Sequence, residues 1–246
     1  MLCLAVDSSG KSLSVALLED ERILAERVLN LGYTHSQTML PQIMALLADC
    51  ERKFSDLDLL AAAAGPGSYT GIRIGLASMQ TLAWQSQIPL LGLSSLEAMA
   101  APWRKTDALV MPAVDARSGR AFTALYQGGK LVIEEANRTV SEHLLEWSEV
   151  IQQLTVKADE TEKQKVLLLG DGSKAVLEAV NEVENADKLA MEFILIDPDA
   201  TALRASELGK LAMQKWRAGT ASEEEKAAEA RYLSPSQAER MRQKQQ

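Results

Sequence analysis

Histidine and cysteine are scarce in this chain, with two of each among 246 residues, and that scarcity closes off several chemistries. His35 and His143 cannot build a histidine-rich zinc site between them. Cys3 and Cys50 show no metal-ligand spacing and imply no disulfide framework, so a reducing, cytoplasmic setting is expected. No apolar run reaches the roughly 20 residues needed to cross a bilayer, and no signal-peptide pattern is visible. Basic residues are in deficit as well: 26 Lys and Arg stand against 34 Asp and Glu, a net charge of -8. That balance argues against an independent grip on nucleic-acid phosphates, so any contact with RNA is expected to be indirect. Aromatic residues make up only 4% of a chain that is 47% hydrophobic. The core must therefore be aliphatic, and it is large enough for one big domain or two small ones.

What the chain does have is a distinctive stretch from Leu59 to Trp84: a small-residue apolar strand, the turn Gly65-Pro66-Gly67, and a helix opened by Ser68. Serine is a good N-cap, and the start of a helix is a ready anion site. Gly71 and Gly75 sit one turn apart inside that helix, each costing about 1 kcal/mol relative to alanine, so something must approach the backbone closely there. At about 100° per residue, Ile72, Leu76, Met79 and Ala83 make one apolar stripe, and Gly71, Ile74, Gly75, Ser78 and Leu82 make a second, smoother one. Two readings stay open. The helix either lies wholly inside one domain or offers its second stripe to another helix.

The rest of the chain reads as two matching halves. Strands are expected at 2–7, 12–18 and 23–29, then a helix within 34–50, with regular geometry from Thr38 because Pro41 suits only a first turn. Strand 57–64, the glycine helix, strand 88–93 and a helix through Met99 complete the half. Ala5-Val6-Asp7 recurs as Ala113-Val114-Asp115, and Ala16-Leu17 as Ala124-Leu125. Gly65-Pro66-Gly67-Ser68 recurs at nearly the same offset as Gly170-Asp171-Gly172-Ser173, after the strand 166–169. A helix over 141–154, a strand over 193–196 and a helix over 201–216 repeat the remainder. The expectation is an α/β chain of two β-β-β-α-β-α-β-α domains, 1–104 and 105–218, with an extension over 219–246. Within the extension, Ser222 and Glu225 have capping-box spacing, and Met241 to Gln246 is expected to fray.

A duplicated fold with an aspartate after its first strand has the layout of actin-like, sugar-kinase and Hsp70 ATPases, in which a carboxylate positions hydrated magnesium and turn amides hold phosphate. Asp7, Ser8, Ser9, Gly65 and Gly67 are the candidate nucleotide-binding residues, with Asp115, Gly170 and Gly172 as their counterparts. The plainer account makes Asp7 and Asp115 Asx-turn residues and the glycines strand-to-helix punctuation. An independent ATPase or small-molecule kinase is the alternative function that this layout leaves open. Ser68 lies in no nucleophile-elbow pattern. His143 is expected on a solvated helix face, and Glu223 to Glu225 as a solvated helix start.

Ala5-Val6-Asp7-Ser8-Ser9, Thr34-His35-Ser36-Gln37 with Leu40-Pro41, Gly65 through Gly75, and Val114-Asp115-Ala116-Arg117 resemble the bacterial TsaB family. The likeness is specific through about residue 126, with Tyr232-Leu233 a weaker match near the end. It implies the duplicated actin-like (ribonuclease H-like) fold. It also implies a non-catalytic role in making threonylcarbamoyladenosine next to the anticodon of tRNA, beside the catalytic paralogue TsaD and the ATPase TsaE. The paralogue's two metal-binding histidines, in Gly-Val-Asn-His-x-Glu-Gly-His, align with Ser95 and Met99 here, and neither replaces imidazole. The resemblance implies that the two helices of the first domain pair with the matching helices of TsaD. The expected interface residues are His35, Met39, Leu40, Ile43, Met44 and Leu47 on the first helix and Gly71, Ile74, Gly75, Ser78 and Leu82 on the second. No metal or resident cofactor is expected, a nucleotide at the partner interface being left open. A homodimer is expected when the paralogue is absent, since exposed apolar faces tend to be covered.

Overall fold

The computed structural model describes residues 1–30, 35–139, 147, 163–182 and 191–233. Strands β1 (Leu2–Asp7), β2 (Leu13–Glu19), β3 (Arg22–Leu29), β4 (Leu59–Gly65) and β5 (Leu90–Ser94) form one sheet in the order β3-β2-β1-β4-β5. The first three pair antiparallel, as their tight turns dictate, whereas β4 and β5 join in parallel after helical crossovers. Strands β6 (Leu109–Asp115), β7 (Arg120–Gln127), β8 (Lys130–Thr139), β9 (Gln164–Leu169) and β10 (Met191–Leu195) repeat that order as β8-β7-β6-β9-β10. The chain is an α/β protein on the duplicated actin-like plan.

The helices are α1 (His35–Asp49), α2 (Tyr69–Ser86), α3 (Ser95–Ala100), α4 (Ser173–Glu182), α5 (Ala205–Ala218) and α6 (Glu223–Ala227). Ser68 caps α2, accepting from the Gly71 amide at 3.2 Å. Ser222 and Glu225 close their capping box on α6 at 3.2 and 2.8 Å.

By contacts the chain divides into Met1–Ala98 together with everything from Leu203 onward, and Met99–Ala202. This departs from the expected division: the leading segment of the first unit ends at Ala98 rather than at 104, and the unit takes in both the extension and the helix assigned to the end of the second domain, which packs on the first sheet. The reason lies in α5 itself. Leu208, Gly209 and Ala212 are buried there, and at Gly209 the helix comes so near the sheet that a Cβ would lie 2.4 Å from Leu18 Cδ1 of β2 and 3.3 Å from Ala5 Cβ of β1. The first sheet is thus covered by α1 and α2 on one face, where Leu4, Val15, Met39, Ile43, Leu60, Ile72 and Met79 make a continuous core, and by α5, which rests on β1, β2 and β4. In the second unit Leu109, Met111, Leu125, Trp147, Leu168 and Val176 form the core.

Pro41 corrects a second expectation, because α1 is already regular at His35 and the proline lies in its interior. Its missing N–H would have served the carbonyl of Gln37, an exposed residue that water can satisfy. The helix expected over 141–154, with His143, lies outside the described residues apart from Trp147, as do Thr34 and Met241 to Gln246.

Candidate functional site

Strand β1 delivers Asp7 to its carboxyl end, 2% exposed. One carboxylate oxygen, Oδ1, accepts from the Ser9 amide at 2.9 Å and from the Ser9 hydroxyl at 2.6 Å, which is the Asx turn the sequence suggests. The Ser95 hydroxyl donates in turn to Ser9 Oγ at 3.2 Å, so three buried polar side chains form one relay. Burial pushes the Asp7 carboxyl up to about 6, with the Ser9 hydrogen bonds and the nearby His35 pulling the other way. The His35 ring nitrogen lies 3.4 Å from the Gly10 carbonyl oxygen.

Helix α2 closes over this turn, and its glycines make that possible. A Cβ at Gly71 would stand 2.0 Å from the Ser8 carbonyl oxygen, and one at Gly75 would stand 2.2 Å from Ser8 Oγ. Ser8 Oγ donates to the Gly71 carbonyl at 2.8 Å. Gly67 is similarly pressed on Ser9, its would-be Cβ 2.5 Å from the Ser9 carbonyl, which accepts from the Ser68 amide at 2.7 Å. The Ser8 and Ser9 hydroxyls, Asp7 Oδ1 and the Ser68 amide are thus all used within the turn and its contact with α2.

This geometry changes the roles expected of the helix residues. Gly71 and Gly75, read as part of an outward docking face, are buried against Ser8. Met39, Ile43 and Leu47 are likewise turned into the core. Leu40 and Met44, one turn apart on α1, are 51% and 57% exposed. Ile74, Ser78 and Leu82 of α2 are half-buried, as is His35. Helices α1 and α2 touch, the would-be Cβ of Gly75 lying 3.9 Å from Met39 Cε. What stays open is a ridge of aliphatic side chains along α1, beside the partly covered flank of α2.

The opposite flank of α2 is held by residues 228–232. Gln80 Nε2 donates to the Ala228 carbonyl at 3.0 Å, and Arg73 Nε donates to the Tyr232 hydroxyl at 2.8 Å. The Arg73 guanidinium lies 4.0 Å from the centre of the Tyr69 ring, and that ring is 4.9 Å from the Tyr232 ring. The Arg231 amide donates to the Ala64 carbonyl at the end of β4. Two glycines make room: a Cβ at Gly65 would be 2.8 Å from the Arg231 carbonyl oxygen, and one at Gly92 would be 2.8 Å from Ala228 Cα. Gly65 thus serves the protein's own chain. Sequence reasoning missed this arrangement, since Arg73 and Tyr232 are 159 residues apart, and the Tyr232-Leu233 match was its only signal.

In the second unit, Asp115 accepts from the Arg117 amide at 2.7 Å and its own amide donates to Asp171 Oδ1 at 3.0 Å. Gly170, at a φ of +84°, and Gly172 pack against β6. Their geometry is that of strand-to-helix punctuation.

A family model described as TsaD, tRNA N6-adenosine threonylcarbamoyltransferase, matches residues 23–241. The tRNA threonylcarbamoyladenosine biosynthesis protein TsaB of Bacillus subtilis is 39% identical over 153 residues, which are 62% of this chain and 67% of that protein. The chain belongs to the TsaB family. The Escherichia coli TsaB is also 39% identical, over 129 residues covering 52% of this chain and 55% of that one, so the match spans little more than half of that relative. Similarity in structure runs further: YeaZ from Pseudomonas aeruginosa superposes with a TM-score of 0.70 at 28% identity, over 94% of this chain and 99% of that one. The sequence match to these relatives thus covers between half and two thirds of the chain, and the structural match nearly all of it.

Proposed function

We propose that this chain takes part in forming threonylcarbamoyladenosine in tRNA, as a cytoplasmic, non-catalytic subunit that supports a TsaD-like transferase by pairing with it. Family membership supports the pathway. The observation that carries the pairing is the uncovered ridge on α1, where the large apolar side chains Leu40 and Met44 face solvent while Met39, Ile43, Leu46 and Leu47 of the same helix are buried. Exposed aliphatic pairs of this kind favour association once a complementary helix face covers them. In this reading the docking surface is Leu40 and Met44 with Ile74, Ser78 and Leu82, while Gly71, Gly75, Met39, Ile43 and Leu47 form the floor beneath it. The same ridge would pair two copies when the paralogue is missing, and a TsaE-like ATPase would act on the assembled pair.

The non-catalytic role draws support from Ser95 and Met99, buried side chains at the positions of the paralogue's histidines. The Ser95 hydroxyl is already used on Ser9. An independent ATPase is less well supported, because the Asp7, Ser8 and Ser9 groups bond within the chain.

The double variant Leu40→Asp with Met44→Asp tests the pairing. Both side chains are exposed, so the far-UV spectrum and thermal midpoint should hold, while copurification with the TsaD-like paralogue is lost and tRNA modification in a reconstituted assay falls to the level without this chain. Copurification that survives the double change would move the interface elsewhere.

A further inference from the structure

From the contacts of residues 228–232 we infer that this C-terminal strap fixes the flank of α2 and thereby sets the two-helix docking face, with Tyr232 and Arg73 as positioning residues. The inference rests on the pairing proposed above. Helix α2 has three flanks. Ile72, Leu76 and Met79 are buried in the core, Ile74, Ser78 and Leu82 are half-buried on the side of Gly75, which nears Met39 of α1, and Tyr69, Arg73 and Gln80 contact the strap. The inward flank carries two glycines whose backbone rests on Ser8, held there by the Ser8 hydroxyl on the Gly71 carbonyl at 2.8 Å and by the buried Ile72, Leu76 and Met79, and this leaves the outer flank as the place for a further hold from the side.

The strap supplies that hold at both ends of a path along α2. Gln80 ties the middle of the helix to Ala228, and the Tyr69, Arg73 and Tyr232 cluster ties its first turns. The strap is itself anchored in the sheet, through Arg231 on Ala64 and through Ala228, 2% exposed, against Gly92. Gly65 and Gly92 clear its path, which makes the strap part of the design of this sheet. It therefore relays the position of β4 and β5 to α2, and α2 presents that position at the flank next to α1.

Two variants of the full-length chain test this. Tyr232→Phe keeps the ring and removes the hydroxyl that accepts from Arg73, whereas Tyr232→Ala removes both. Hydrogen exchange of the α2 amides is measured on each chain alone, and affinity for the TsaD-like paralogue is measured by titration calorimetry. Loss of one hydrogen bond and a cation–π contact should raise both exchange in the first turns of α2 and Kd about tenfold in Tyr232→Ala, with a smaller rise in Tyr232→Phe. Unchanged exchange in both variants overturns the clamp. Raised exchange with unchanged Kd overturns its influence on docking. If the unmodified chain fails to bind the paralogue, the pairing falls, and exchange alone then decides whether the strap holds α2. Should Tyr232→Ala not fold, Tyr232→Phe decides between the same outcomes.

Discussion

Gly71→Ala is expected to destabilise the first unit by about 3 kcal/mol, the largest effect of any single methyl group here. Alanine would normally gain about 1 kcal/mol inside a helix, but the new carbon would sit 2.0 Å from the Ser8 carbonyl oxygen, a backbone atom that cannot rotate aside. Gly75→Ala meets Ser8 Oγ at 2.2 Å, a side-chain atom, with Ser8 Cβ at 3.5 Å. The two substitutions therefore respond differently to Ser8→Ala. Removing the hydroxyl should recover most of the loss from Gly75→Ala and almost none of that from Gly71→Ala. Gly10→Ala, into open space, should be nearly neutral. Urea denaturation of the four single variants and the two doubles gives the coupling energies directly. Equal rescue of both glycine variants by Ser8→Ala would contradict the packing described here.

These same glycines show how far the sequence could be read. The alternation of strands, the helix caps at Ser68 and Ser222, and the internal repeat were all legible, because they depend on local chemistry and on order along the chain. Gly71 and Gly75 correctly signalled a close approach to the backbone. Nothing in the sequence said what approaches: an outside helix and an inside turn both require a smooth surface, and only the fold places Ser8 there. Gly65 carried the same ambiguity, since a phosphate and the strap at Arg231 both need a residue without a side chain. The helix Ala205–Ala218 shows a different limit. Its amphipathic pattern predicts a helix but not the sheet it covers, and the fit of Gly209 against Leu18 joins residues almost 200 positions apart only in space. On α1, the expected interface set held Met39, Leu40, Ile43, Met44 and Leu47 together. The sequence alone could not say that Met39, Ile43 and Leu47 point inward while Leu40 and Met44 remain outside.

Asp7→Asn is expected to stabilise the protein at pH 8 and to leave it unchanged at acid pH. The sign follows from burial. In the unfolded chain Asp7 titrates near its ordinary value of 3.8, and in the folded protein burial raises it to about 6. Below 3.8 the carboxyl is neutral in both states and folding bears no penalty from it. As pH rises toward 6 the unfolded chain ionises first, which favours unfolding, and above 6 the folded protein carries the whole difference, about 3 kcal/mol at about 1.4 kcal/mol per unit. Asparagine presents the same carbonyl oxygen to the Ser9 amide and hydroxyl without a charge to desolvate. Its stability should therefore exceed that of the unmodified chain by up to about 3 kcal/mol at pH 8, with the two converging as pH falls below 4. Urea denaturation at pH 4, 6 and 8 measures this, and parallel curves for the two proteins would show that Asp7 is already neutral or well solvated. A charged group kept where it weakens the fold needs a reason, and its position supplies one. Asp7 fixes the Ser8 and Ser9 turn on which α2 rests, so the stabilised Asp7→Asn chain should still bind the TsaD-like paralogue if the aspartate serves only to shape that turn.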